Sequence, residues 1–429
     1  MRRWVIALSL AGCYSPSFQT NVPCSADLSC PNDQTCDTSQ SPPVCVGQLG
    51  SNGPDGGDNL PPDAPTMSAC GVCPAAMPVC DQNSTTCRVC YDDDDCTSHV
   101  CDELTGTCTP TANTLFVKTE GDDANPCTHD QPCLTVSKAI TLVDDNHKII
   151  RIYDGTYFDT FVSQGKTFTL SGEFNGQATS ALLMYTGSAN YIAEVDGGTV
   201  VLEGIRLGGG GQAGLKVQGG ATVTLLSVEI GYTTKSVIES SGSTLNIYGG
   251  ELHDSGGAGP GVFVQSGSLT MLKSLTYNIG GPNISVTNAK YDLENNFITG
   301  SGGPGLVQMG PIVGNTAKFD FNTVVGNTTG VAANANIAVS NSIFAYNGTD
   351  VPLPMNVAAT YSLVTGPSNV PGTGNINADP AFVAQDDLHI TFGSPARDKA
   401  DPASLVRDDY DGDARPHGAG FDIGADEHY

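Results

Sequence analysis

Basic residues are scarce in this chain: 18 Lys and Arg stand against 45 Asp and Glu, a net charge of −27 over 429 residues. Such a surface has nothing to replace the counterions around nucleic-acid phosphates and no basic patch to hold anionic lipid, so no nucleic-acid partner is expected. There is a single Trp, and charged residues make up only 15% of the chain. Leu, Lys and Glu are too few for a helical bundle. No apolar run approaches the ~18 residues that a membrane-spanning helix needs. Cysteine is absent after Cys133, so the last two-thirds of the chain must hold together without bridges.

What is present is 52 Gly, 26 Pro and 15 Cys. Met1-Arg2-Arg3 gives a positive start, Trp4 to Leu10 a short apolar stretch, and Leu10-Ala11-Gly12-Cys13 follows at once. These residues resemble a bacterial lipoprotein signal. The resemblance implies that residues 1–12 are removed and that the Cys13 thiol is acylated; two or three acyl chains anchor stably where one is marginal. Tyr14, where enteric sorting rules would need Asp for the inner membrane, implies the outer one. The expected location is the cell envelope, surface-exposed or periplasm-facing, with outer-membrane lipid as the partner of Cys13.

Setting Cys13 aside leaves an even number of cysteines, all between Cys24 and Cys133, as disulfides in an oxidising compartment require. Cys24, Cys30, Cys36 and Cys45 define a first module (13–45), and a Gly/Pro/Asp-rich linker (46–69) with almost nothing to bury follows. A second module (70–112) carries an internal echo: Val79-Cys80-Asp81 leads to Cys87, and Val100-Cys101-Asp102 to Cys108. Thr35-Cys36-Asp37 leading to Cys45 is a looser copy. Units this small depend on bridges rather than burial. Cys70-x-x-Cys73 and Cys87-x-x-Cys90 also have zinc-ribbon spacing, but behind a secretion signal disulfides are the expected state. The run Asp92 to Asp95 reads as a solvated acidic loop, with Ca²⁺ binding as the alternative.

After Pro110 short strands alternate with Gly and Asn, and only Leu134 to Val143 has helical character. A pattern of two alternating apolar residues, a turn and two more recurs: Val200, Leu202, Ile205, Leu207; Val223, Leu225, Val228, Ile230; then from Leu245, Leu269, Tyr291 and Ala317, with weaker copies near Asn336 and Asn356. Recurrence every roughly 22 residues excludes a heptad and suits strands stacked coil on coil at ~4.8 Å. These repeats resemble right-handed parallel β-helix proteins of the pectin-lyase-like type, which implies an all-β, single-stranded solenoid over residues 113–375. The opening segments Phe116-Val117-Lys118 and Ile149 to Tyr157 fit that family's first coils. Asn296, Asn322 and Asn341 are expected to form one axial ladder. Cys127 and Cys133 are expected to bridge an entrance loop, and Leu134 to Val143 to cap the first coil.

Asp379-Pro380-Ala381-Phe382, Ser394-Pro395-Ala396-Arg397-Asp398, Asp409-Tyr410-Asp411-Gly412-Asp413 and Phe421 to Glu427 resemble the choice-of-anchor Q segment of bacterial surface β-helix proteins. Residues 376–429 are therefore expected to cap the solenoid. Asp409, Asp411 and Asp413 offer the oxygen donors of a calcium loop without its distal Glu; a cap with Asp–Arg pairing is the preferred reading. Otherwise no cofactor is expected.

Chemistry on the solenoid is less legible. Polyuronate lyases need a cation or Arg beside a base, yet Arg206 is the only Arg between Gly197 and Asn347. Arg206, Glu229 and Glu251 share one outward position, with His253 and Asp254 at the next corner. Two carboxylates so placed are the candidate catalytic pair of a glycoside hydrolase, and a solvated Arg–Glu face is the preferred reading. A second outward row, Glu203, Leu226, Tyr248, Leu272, Glu294 and Asp320, puts Leu226, Tyr248 and Leu272 together as a patch for a sugar, a loop or the Cys-rich module. The leading function is a surface lipoprotein displaying a rigid rod for adhesion or polysaccharide binding. A polysaccharide lyase or hydrolase, and an envelope spike with a protein partner, are the alternatives.

Overall fold

The computed structural model describes residues 73–429 apart from 82–85, 92, 103–104, 173–180, 185–189, 210, 313–316, 353–355 and 367–369. Before residue 73 it describes Cys70 and the strands Thr35–Asp37 and Val44–Val46. The signal segment, Cys13, nearly all of the first module and the linker lie outside the described residues. The chain divides into Met1–Val72 and Cys73–Tyr429. In the first unit the two strands pair antiparallel with Cys36 opposite Cys45.

The second unit opens with two more hairpins, Val79–Asp81 with Thr86–Arg88 and Cys101–Asp102 with Thr107–Cys108. The echoes in the sequence are hairpins that set one cysteine opposite another. The bridges nevertheless leave the hairpins: Cys73–Cys87, Cys90–Cys101 and Cys96–Cys108. Each closes a short loop of a unit with little core, a constraint worth ~2–4 kcal/mol. Cys70 is bonded too, so the four sulfurs of the zinc-ribbon spacing are all in disulfides. Two residues of the acidic run, Asp93 and Asp95, are paired rather than solvated. Asp95 makes a two-pronged pair with Arg88, and Asp93 pairs with Arg151 of the solenoid while accepting the Cys101 N–H. Val100 packs with Phe116 and Ile149, so the module docks on the first coils.

From Thr114 to Asn377 the chain winds as a parallel β-solenoid of the pectin-lyase-like kind. Its first sheet runs from Thr114–Val117 to Val357–Thr360, and its second from Gly155–Tyr157 to Ile376–Asn377. A third set of strands begins at Phe161–Val162 and ends at Thr329–Ala333. Inward residues stack in register, Val200 on Val223, Leu245, Leu269, Tyr291 and Ala317, and Leu202 on Leu225, Ile247, Met271, Leu293 and Phe319. One continuous apolar core results. The two weaker copies begin one residue later than the sequence pattern suggested, at Ile337 and Val357, which are the residues that face inward. The helix is Val136–Leu142, with Thr135 accepting the Lys138 N–H and Val136, Ala139 and Ile140 buried against the entrance. Cys127 and Cys133 are bonded beside it.

The buried ladder at the first corner is Ser274, Asn296, Asn322, Ser342 and Ser362. Backbone N–H groups of the first four donate to the next side chain at 2.9, 3.1, 3.0 and 3.2 Å. Asn341 is not in it. It stands one position earlier with φ 49°, on the left-handed corner it shares with Asn295 and Phe321. From there its side chain donates to Asp320 and accepts the Asp401 N–H.

Of the segment expected as a cap, residues 378–429 pack on the side of the coils. They lie along the flank of the second sheet, where Ile390, Ala396, Val406, Phe421 and Ile423 cluster with Phe321, Ile343, Ala345 and Leu363 of the coils. The physical reason is in the coils: the outward positions of the later strands are apolar and must be covered. Arg415, whose side chain is fully buried, fastens the segment. Its guanidinium reaches Glu427 at 3.0 Å and the carbonyls of Asp422 and Gly424, and it lies over the Phe321 ring.

Candidate functional site

The first row falls where the repeat placed it: Arg206, Glu229 and Glu251 are neighbours across three strands of the second sheet. The Arg206 guanidinium grips Glu229 with two bonds of 2.7 Å. Glu229 also meets His253 Nε2 at 3.3 Å, and the other ring nitrogen, Nδ1, lies 2.8 Å from Asp254. Asp254 in turn accepts from Asn278. Glu251 accepts the Tyr277 hydroxyl at 2.8 Å. The His253 ring is 2% exposed, stacked on Tyr277 at 4.9 Å and met edge-on by Tyr232 at 5.1 Å.

Burial alone would raise the Glu229 carboxyl, but the bonds from His253 and Arg206 outweigh it and hold the group down to about 2. Burial would lower the His253 pKa, and the bonds from Glu229 and Asp254 outweigh it, so the net shift of the ring is upward. Burial and Glu251 push the Tyr277 hydroxyl upward. Retaining hydrolysis needs a carboxylic acid held neutral near pH 7 next to a carboxylate. Glu229 is the reverse, and Tyr277 is bound to its would-be partner. The aromatic neighbours and Asn278 were not in the sequence reading; the signal was their place at the register of His253 and Asp254, Tyr277 and Asn278 one coil further on and Tyr232 one coil earlier.

The second row also stacks as read: Glu203, Leu226, Tyr248, Leu272, Glu294 and Asp320. Arg151 and Ser171 precede it, joined by a 2.7 Å hydrogen bond, and carry the docked Cys-rich module. Leu226 lines a small cavity of about 210 Å³ with Tyr91 and Asp93 of that module. Tyr248 is open to solvent, and beyond Leu272 the Lys273–Asp408 pair ties down the C-terminal segment. The patch therefore lies between two attached pieces of the chain.

Asp409, Asp411 and Asp413 do not converge. Asp409 is buried and spends both oxygens on the Asp413 and Glu427 N–H groups, at 2.8 and 2.9 Å. Asp411 instead faces His389 Nε2 at 2.8 Å, while Asp387 takes Nδ1. The Asp411 bond, against desolvation and with help from Asp387, raises His389 to about 10; burial raises Asp426 to about 6. Ligand atoms of His389, Asp411 and Asp426 lie within 4.8 Å of one another and can hold a divalent ion once the ring loses its proton. A His-plus-carboxylate set suits Zn²⁺ or Mn²⁺ better than the all-oxygen shell of Ca²⁺.

No protein-family model matches the chain, and no curated protein does. Among solved structures it is similar to a pectate lyase, at TM-score 0.59 and 14% identity, covering 74% of this chain and 96% of that one. It also matches XylC in complex with xylose (TM-score 0.39, 9% identity, 73% and 98% covered) and a rhamnogalacturonan lyase (0.33, 14%, 72% and 95%). The first likeness shows the pectin-lyase-like fold and nothing of the chemistry.

Proposed function

We propose that the protein is an envelope-anchored lipoprotein whose β-helix binds polysaccharide without cleaving it. One observation carries the non-catalytic part: every acid or base in the Arg206–Glu229–His253–Asp254 cluster is already paired with another member. A lyase base must be free to take a proton, and a hydrolase acid must carry one to give. The exposed Tyr248, between Leu226 and Leu272 of the adjacent coils, supports a glycan-binding surface. Cleavage by a lyase or hydrolase is the alternative that the test below separates from binding.

The test is a polysaccharide panel measured for both binding and release of reducing or unsaturated ends. Retention without release is expected. Release that Glu229→Gln abolishes would make the cluster an active site. Anchoring is tested separately by metabolic labelling with an alkyne fatty acid: label lost in Cys13→Ser supports the anchor, and label unchanged or absent from both overturns it.

A further inference from the structure

The left-handed corner after the second-sheet strands forms a column of its own. Tyr232, Asp254, Asn278, Gly300, Gly326 and Tyr346 occupy it on successive coils, with φ of 58°, 50°, 53°, 53°, 70° and 55°. Since Tyr, Asp and Asn all adopt this conformation here, backbone angle alone does not require the two glycines. Their effect is spatial: side chains are missing from two consecutive rungs, a recess roughly 10 Å long at the ~4.8 Å strand spacing. The Tyr346 ring stands at one end, and the C-terminal segment forms a wall with Phe382, Asp379 and Gln385. The recess is a half-open cavity of about 710 Å³, within the ~300–1,000 Å³ of small-molecule sites.

Its chemistry is selective. Phe382 meets Tyr346 edge-on, with centroids 6.3 Å apart. Asp379 accepts the Ala381 N–H at 2.8 Å and the Tyr346 hydroxyl at 2.8 Å, which together hold its carboxyl below the ordinary range. Among the described residues no Lys or Arg lines the cavity, so an anionic sugar would meet the Asp379 carboxylate without a neutralising partner there. We infer that this recess is a binding site for a neutral pyranose unit, its C–H face on the aromatic pair and its hydroxyls donating to Asp379 and pairing with the Gln385 amide. The inference deepens the polysaccharide-binding reading and rests on it, but places the contact on a different flank from Tyr248.

The experiment titrates the full-length protein with methyl glycosides of glucose, galactose and xylose, with galacturonate and with glucosamine, read by saturation-transfer NMR and calorimetry. At least one neutral glycoside is expected to bind, and galacturonate to bind more weakly. Tyr346→Ala should weaken binding roughly tenfold, the scale of one lost aromatic contact. Gly326→Asn, which gives the corner the residue it accepts at Asn278, should fill the recess and abolish binding while leaving circular dichroism unchanged. Neutral-sugar binding that survives both variants and is lost in Tyr248→Ala overturns this site and keeps the polysaccharide-binding reading. Preference for galacturonate, or for glucosamine alone, overturns the neutral-sugar assignment. No saccharide binding, with the polysaccharide panel also negative, overturns both.

Discussion

The outward column of the second sheet has two halves. In the earlier coils it reads Arg206, Glu229, Glu251 and lies open; in the later ones it continues as Leu275, Phe297, Thr323, Ile343 and Leu363. From Phe297 onward it is buried under the C-terminal segment. The backbone is the same throughout, so the difference is one of cover. Where the chain folds back over the sheet the column is apolar, and charge moves into the covering segment as the fully buried Arg415–Glu427 pair. Where nothing covers it, charges pair with each other at the surface. Polarity of an outward position in a solenoid thus reports what lies above it rather than which coil it belongs to.

The contrast is broken most strongly at Arg415. Arg415→Ala leaves Glu427 buried without its partner, a loss of ~3–5 kcal/mol, and chemical denaturation should show the C-terminal segment releasing first. A loss within error of zero would mean that the segment is held by its apolar contacts alone. Asn322→Ala, beneath the cover, removes the acceptor of two Asn296 hydrogen bonds and the donor to the Leu293 carbonyl. Leaving those groups unmet should cost ~1–3 kcal/mol, measured by urea unfolding. Restoration by Asn322→Ser, the residue type of the neighbouring rung, would be partial.

The pH dependence separates the halves further. His253 in the open half and His389 in the covering segment both have folded-state values above the ~6.5 of a free imidazole. Their contribution is complete below that value and is lost as pH rises through the folded values, about 10 for His389. Asp426, raised to about 6, acts in the same direction between ~4 and 6. Glu229 opposes them only in acid: its contribution is present above ~4.3 and fades as pH falls through about 2. The thermal midpoint should therefore be higher near pH 5 than near pH 9, and His389→Gln should flatten the alkaline side. A midpoint that rises from pH 6 to 9 contradicts these assignments. The smallest effect is expected at Glu229→Gln, roughly 1 kcal/mol for a partly exposed pair, with the NMR-detected titration of His253 moving down.

Much of this was legible in the residues. The roughly 22-residue repeat predicted strand register at Val200, Val223 and Leu245, and both outward rows stack as read, because alternation along a strand leaves each residue one choice of face. The Asn341 assignment failed by one position because two adjacent corner positions both accept Asn, one for its side-chain ladder and one for its left-handed backbone. The flank-covering role of residues 378–429 was missed although its signal was present: Phe297, Ile343 and Leu363 are apolar at a position that is charged in the coils up to Glu251. The His389–Asp411 pairing joins residues 22 apart in a segment without periodicity, and nothing local announces it.

The most direct measurement takes one sample, one polysaccharide panel and two readings, equilibrium binding and the appearance of new chain ends. Binding with no new ends, unchanged in Glu229→Gln, is the expected result; new ends that vanish in that variant would show that the Arg206–Glu229–His253 cluster works on substrate rather than on itself.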